Sequence, residues 1–189
     1  MKKIATITLD GYFNYGNVLQ RYALFKIISN MGYQTDSIWQ MKEMGFLEIL
    51  VRKYPWMACS WSWKTYIKLI INWKKITTHL LKGDNGWEGA RCAFIKSFCD
   101  RYIPIRYNVD FNHIDYEYDY FVVGSDQVWN PYIMGLKKMF MGYVSLEKRI
   151  AYAASISCPE IPQDKQQTFI DGVNGMKEIS VREQAGADL

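Results

Sequence analysis

The sequence predicts a doubly wound α/β fold on a mostly parallel sheet. Three observations predict it. Five short candidate strands recur along the chain: Ile4–Leu9, with β-branched enrichment, then Tyr33–Trp39, the apolar Tyr118–Val123, Arg149–Ala154 and Glu178–Val181. Segments with helical apolar spacing separate them, which is the alternation a parallel sheet requires. The first forty residues already hold a strand, a helix and a second strand, a βαβ unit whose crossover is expected to be right-handed. At 189 residues, 49% hydrophobic and 22% charged, the chain is long enough to bury one full core.

Ile4–Leu9 reads as a buried strand, and Asp10 to Gly16 as a loop rich in Gly and Asn. From Asn17 to Met31 apolar residues fall at 18, 19, 22, 25 and 28 and at 23, 27 and 31, which is helical spacing. Gly32 stands where a residue just past a helix end belongs. Residues 41–82 differ in composition: Lys42, Arg52, Lys53, Lys64, Lys68, Lys74, Lys75 and Lys82 face only Glu43 and Glu48, and Trp56, Trp61, Trp63 and Trp73 share the stretch. This reads as a helical insertion broken near Pro55 and closed by the Gly83-Asp84-Asn85-Gly86 turn. Glu88–Tyr102 is amphipathic, with Cys92, Ile95 and Cys99 near one face, and Pro104 stops it. Pro162 opens another helix, with Phe169, Ile170, Val173 and Met176 expected on its buried side.

Composition narrows the function classes. The 23 basic residues against 19 acids leave a net charge of +4, too mild to mark a nucleic-acid partner. Cys59, Cys92, Cys99 and Cys158 form no CxxC pair, and two histidines add little, so a zinc site is not expected and a reduced, cytoplasmic protein is. The Met-Lys-Lys opening resembles a secretory leader, but the apolar run behind it is six residues, interrupted by Thr6 and Thr8. No window has eighteen uninterrupted apolar residues, so no spanning helix is expected. The basic, Trp-rich stretch at 42–82 admits two readings: a peripheral contact with anionic lipid at the inner face of the membrane, or a solvated lysine face over a small satellite core. Aromatic residues reach 16%, a level met in sugar-holding proteins and in tightly packed cores alike.

Two loops after strands carry unusual chemistry. The first, Gly11-Tyr12-Phe13-Asn14-Tyr15-Gly16-Asn17, leads into a helix N-terminus suited to anions, with the amides of Asn14 and Gln20 beside it. A plain capped turn explains the same glycines. A phosphate-binding P-loop would need Lys-Ser/Thr where Asn17-Val18 stands, and GxGxxG is absent although Asp36 lies at a dinucleotide-like distance. The second, Gly124-Ser125-Asp126-Gln127-Val128-Trp129-Asn130-Pro131, gathers small, hydroxyl, acid, amide and indole groups. There Gly124 would let a ligand approach the backbone, Asp126 and Gln127 would bind hydroxyls, and Trp129 would offer a face to a sugar ring. A tight turn with a packed Trp is the bland alternative. Asp115, Glu117 and Asp119 read as a solvated strand entry rather than a metal site, and His79 and His113 as surface histidines.

Taken in order, four stretches resemble the polysaccharide pyruvyl transferase family. They are Asn14-Tyr15-Gly16-Asn17-Val18-Leu19-Gln20-Arg21-Tyr22-Ala23-Leu24, then Val123 through Pro131, then Ala151-Tyr152-Ala153-Ala154-Ser155, and Ile179-Ser180-Val181-Arg182-Glu183. The resemblance implies a two-domain protein similar to B-type glycosyltransferases, with residues 1–189 as its N-terminal Rossmann-like domain, the stretch at 41–82 as a variable insertion, and the family's C-terminal domain absent. It also implies transfer of a pyruvyl unit from phosphoenolpyruvate to hydroxyls of a sugar or lipid-linked oligosaccharide, in surface or capsular polysaccharide synthesis. The donor is a substrate, and no cofactor or metal is implied. The site residues carried over are Asn14, Gly16, Asn17, Gln20, Gly124, Ser125, Gln127, Trp129 and Asn130, with Ser155 and Arg182 at strand ends, and Asp126 as the catalytic candidate. The Arg and His groups that hold the donor fall mainly in the half beyond Leu189, so the chain alone is expected to be inactive or nearly so, with an exposed apolar patch and self-association as a homo-oligomer. A nucleotide-sugar glycosyltransferase and a noncatalytic glycan- or partner-binding module are the alternatives.

Overall fold

The computed structural model describes residues 1–12, 14–40, 87–132 and 136–188. The chain divides into two units, one formed by 1–40 with 95–189 and the other by 41–94. The helical insertion expected at 41–82, its four tryptophans and the turn after it lie outside the described residues.

Six strands, all within the first unit, form one sheet: β1 (Lys3–Ile7), β2 (Gln34–Ile38), β3 (Ile105–Arg106), β4 (Tyr120–Asp126), β5 (Arg149–Ala154) and β6 (Glu178–Val181). Their order is β3-β2-β1-β4-β5-β6, and every neighbouring pair is parallel. Helices α1 (Tyr15–Asn30), α2 (Trp87–Tyr102), α3 (Leu136–Met139), α4 (Gln163–Asn174) and α5 (Gln184–Ala187) punctuate the strands. The chain walks outward from β1 to β3, then returns to lay β4 on the other side of β1. That reversal opens a crevice outside the carboxyl ends of β1 and β4, where ligands bind in sheets of this type.

The central strands β1 and β4 are largely apolar because both faces are covered. Successive side chains point to opposite faces, so Ala5 and Ile7 of β1 join Phe121 and Val123 of β4 in the larger core, with Phe169 of α4. Ile4 and Val122 point the other way and meet Leu24 and Ile28 of α1. A third cluster sets Val18 of α1 against Ile95, Cys99 and Ile103. The sequence reading lacks β3, and the strand's length explains why. Two residues carry no periodicity, and the strand exists only through its neighbour: Ser37 N–H donates to the Pro104 carbonyl (2.9 Å) and Trp39 N–H to that of Arg106 (3.0 Å).

Two helical faces need correction. In α1 the buried positions are Asn17, Val18, Arg21, Leu24 and Ile28, while Leu19, Ile27 and Met31 are exposed. The stripe at 23, 27 and 31 faces outward because the sheet side of the helix is claimed by the row through Arg21. In α4 Phe169 is buried, whereas Ile170 is exposed, and the neighbour that goes in is Gly172. A Cβ there would stand 2.3 Å from the Phe140 ring, so a hydrogen is what lets α4 seat against that ring. Gly32 does take a left-handed φ of 89° just past α1, and α2 ends at Tyr102, before Pro104. Among the described residues no helix is long and apolar enough to cross a membrane.

Candidate functional site

The crevice between β1 and β4 is framed first by the start of α1. Asn14 caps that helix, its Oδ1 accepting from the N–H groups of Gly16 (2.9 Å) and Asn17 (3.4 Å). One turn in, Asn17 Nδ2 donates to Asp126 Oδ2 at 3.1 Å. A carboxylate only accepts, so this bond fixes which end of the amide is which. Asn17 Oδ1 is therefore turned elsewhere, and it is buried without a donor. Gln20, three residues on and so on the same helical face, also buries an Oε1 without a donor. Buried oxygens in that condition are rare and costly, and these two stand on the helix that reaches Asp126.

Asp126 is held from behind. Its φ of 93° is one an L-residue adopts only under constraint. Its carbonyl accepts from Val128 N–H (2.7 Å) and Ser155 N–H (2.9 Å), and Thr8 Oγ1 of the β1 end donates to the Ser125 carbonyl (3.1 Å). The Gly124–Ser125 peptide is cis. Asp126 Oδ1 faces Arg182 Nη1 at 3.9 Å. Arg182 is a cation on this side, with about 41% of its side chain exposed, and its Nη2 donates to Ser155 Oγ (2.9 Å).

Glu183 organises the third wall, and the sequence reading gives it no role. Its Oε1 accepts from Ser155 Oγ (2.8 Å) and from the N–H groups of Ile156 (3.0 Å) and Ser157 (3.2 Å), and its Oε2 lies 3.6 Å from Arg182 Nε. One carboxylate thus ties the end of β5 to the end of β6. The available signal is its place directly after Arg182 at a strand terminus. Partial burial raises the Glu183 pKa, but the Ser155 hydroxyl, the two backbone donors and Arg182 lower it by more, so it lies below the ordinary 4.5. A carboxylate depressed in the folded state adds stability above its unfolded pKa and loses it as pH falls through the folded one. The midpoint of urea unfolding, measured from pH 6 to pH 3, should therefore fall more steeply for the native protein than for Glu183→Gln. Parallel curves would show that the contacts contribute nothing to folding.

Several residues expected to touch a ligand also hold the fold together. Trp129 is only 1% exposed and packs on Phe140 with ring centroids 5.2 Å apart. Its indole belongs to the core and offers no face to a sugar. At Gly124 the close approach is real, but the group approaching is the Tyr152 carbonyl of β5, 2.0 Å from where a Cβ would sit, at a φ of 125°. Ser155 is fully buried, its Oγ spent on Ser157, Glu183 and Arg182. Asn130 Oδ1 accepts from Tyr132 N–H (2.9 Å), closing a turn. Asn14 and Gly16 form the cap of α1. Asn14, Gly16, Gln127 and Arg182 are exposed, Gln20, Ser125, Asp126 and Asn130 are partly buried, and Asn17 is buried with its Nδ2 on Asp126.

The other candidates disperse. Asp36 accepts from Tyr118 OH (2.8 Å) and pairs with Lys3 (3.4 Å). Asp115 binds Ser145 and Lys148, Glu117 binds Arg106, and Asp119 accepts from Lys3 N–H. Among the described residues no group of three or more His, Cys, Asp or Glu is placed to hold a metal ion. Cys92, Cys99 and Cys158 are free thiols, and His113 pairs with Asp110 at the surface (2.6 Å). Behind the crevice, Arg21 and Asp10 form a buried pair at 2.9 Å, each under 3% exposed. Arg21 Nη2 also donates to the Leu9 carbonyl (2.8 Å), and Gln40 N–H donates to Asp10 Oδ2 (2.7 Å).

Fold and site together define a Rossmann-like α/β protein in which polar and charged side chains cluster at the carboxyl ends of β1, β4, β5 and β6. The family model for polysaccharide pyruvyl transferase matches residues 14–189, and the chain belongs to that family. Comparison with curated proteins and with solved structures gave no significant match.

Proposed function

We propose that the protein transfers a pyruvyl unit from phosphoenolpyruvate to hydroxyls of a sugar, in the synthesis of a surface or capsular polysaccharide. The observation that carries this reading is the pairing of opposite hydrogen-bonding needs in one crevice. Asn17 Oδ1 and Gln20 Oε1 lack donors, while Arg182 presents an exposed cation near Asp126. Sugar hydroxyls would supply donors to the first pair. The carboxylate and phosphate of the donor substrate would be drawn to the second.

In this mechanism the methylene carbon of phosphoenolpyruvate takes a proton, leaving an oxocarbenium-like centre at the adjacent carbon. Asp126 accepts the proton of the sugar hydroxyl as its oxygen attacks that centre. The carbon–oxygen bond to phosphate then breaks, and a second hydroxyl adds to give the ketal. Of the two hydroxyl protons, one balances the new methyl group and the other leaves with the phosphate. Arg182 stabilises the negative charge on the departing group, and Glu183 positions Arg182 through the Ser155 network.

A donor with three negative charges calls for more cations than Arg182 alone. In this reading residues 1–189 form the acceptor-side wall and turn over poorly unless a second wall completes the cleft. The acceptor is a sugar or lipid-linked oligosaccharide at the cytoplasmic face of the membrane. The deciding experiment incubates the native gene product with phosphoenolpyruvate and a polysaccharide acceptor and follows orthophosphate. Acceptor-dependent release is expected. Nucleoside diphosphate released from a nucleotide sugar, with phosphoenolpyruvate inert, would overturn the reading in favour of glycosyl transfer.

A further inference from the structure

Trp129 lies in the core, and a second feature on the same side of the sheet presents an exposed aromatic ring. A groove of about 390 Å³ opens between the loops that follow β4 and β5, lined by Tyr132, Glu160, Ile161, Pro162, Gln163 and Gln166. Its volume lies within the range of small-molecule clefts, roughly 300–1,000 Å³. The first of these loops begins directly after Asp126 and the second at Ser155. Tyr132 is 75% exposed, yet it is not adrift, because its N–H is fixed by Asn130 Oδ1 two residues back. A single exposed tyrosine is ordinary by itself. This one stands on an anchored turn, so a ligand can stack on its ring with little ordering cost.

Polar groups converge on the same groove. Gln163 and Gln166 sit on the first turn of α4, Gln166 Nε2 reaching the Ile161 carbonyl at 3.4 Å, and Glu160 adds a carboxylate. The charge of this lining decides the ligand class. Among the described residues it holds one acid and no cation, a lining that disfavours phosphoenolpyruvate and nucleotide diphosphates. A neutral polyol fits: its C–H face lies on an aromatic ring while its hydroxyls donate to a carboxylate and exchange bonds with amides.

We propose that this groove binds a neutral sugar residue of the acceptor, one or more units away from the hydroxyls that react. The identification of the ligand as acceptor rests on the pyruvyl transfer reading; the sugar class rests on the groove itself. Binding energy gathered at such a distance positions the reacting unit in the crevice.

The test measures saturation-transfer NMR and titration of the native chain with methyl β-glucopyranoside, methyl β-galactopyranoside and a panel of neutral oligosaccharides, beside Tyr132→Ala and Tyr132→Phe. Tyr132→Ala should weaken the tightest glycan about three- to tenfold, the worth of one ring contact, and Tyr132→Phe should retain affinity within about twofold. Because the ring is exposed, both variants should keep the native circular dichroism. Undiminished binding by Tyr132→Ala, or no saccharide bound by the native chain, would overturn the groove assignment. Phosphate release from phosphoenolpyruvate by the full native gene product, as in the assay above, is followed in parallel. Turnover without glycan binding removes the groove and leaves the reaction, whereas glycan binding at Tyr132 without turnover removes the reaction and keeps the groove as a sugar site.

Discussion

Arg21→Met should lower the free energy of unfolding by about 3–5 kcal/mol, the usual cost of breaking a buried ion pair by removing one partner. The pair is buried to an unusual degree, with about 1% of the Arg21 side chain and 2% of Asp10 exposed. A single guanidinium nitrogen serves both the Asp10 carboxylate and the Leu9 carbonyl, and the Trp39 ring lies 4.8 Å from the guanidinium carbon. Asp10 also receives Gln40 N–H, so the cluster joins the end of β1, the middle of α1 and the residues after β2. Against a whole-domain stability of roughly 5–15 kcal/mol, losing this much would move the urea midpoint far down. The double variant Arg21→Met with Asp10→Asn should recover part of the loss, because it removes the buried charge while keeping an acceptor for Gln40. A fall under about 1 kcal/mol, the range of exposed pairs, would show that water reaches the charges.

This pair also shows why some of the molecule is legible in sequence and some is not. The strands and the doubly wound order are legible because burial on both faces forces runs such as Ile4–Leu9 and Tyr118–Val123 to be largely apolar. Arg21 defeats the same logic. A cation in the buried row of a helix reads as a break in the stripe, and only the tertiary approach of Asp10 and the Leu9 carbonyl explains it. Helical spacing consequently counts Ile27 and Met31 among the apolar stripe of α1, whereas both point to solvent.

The site divides along similar lines. The loops at 11–17 and 124–131 are recognisable because glycine, amide and carboxylate groups cluster where strands end. Which of those groups face a ligand depends on packing that local composition does not encode. Trp129 and Tyr132 are three residues apart, yet one is buried against Phe140 and the other is 75% exposed. Composition favours the larger ring, while the turn closed by Asn130 presents the smaller one. Glu183 is hidden for a different reason. Its importance lies in bonds to Ser155, Ile156 and Ser157, more than twenty-five residues away in sequence, and no spacing rule joins the ends of adjacent parallel strands.

Asp126→Asn should reduce kcat for pyruvyl transfer by about 10²–10⁴-fold, the span that a positioned proton acceptor contributes, while leaving the fold intact. The substitution keeps the size and shape of the side chain. Its remaining oxygen can still accept from Asn17 Nδ2, and the backbone bonds from Val128 and Ser155 to the carbonyl of residue 126 do not involve the side chain. Thermal stability and glycan affinity at Tyr132 should therefore stay close to native. What changes is the capacity to take a proton from the attacking hydroxyl, together with the charge facing Arg182 across 3.9 Å. These two losses have separable signatures. If Asp126 acts only by orienting Arg182, the variant should raise KM for phosphoenolpyruvate and leave kcat nearly unchanged; if it takes the proton, the loss should fall on kcat at saturating donor and acceptor. Activity within about twofold of native on both parameters would remove Asp126 from the chemistry and leave it as the group that holds Asn17 at the mouth of the crevice.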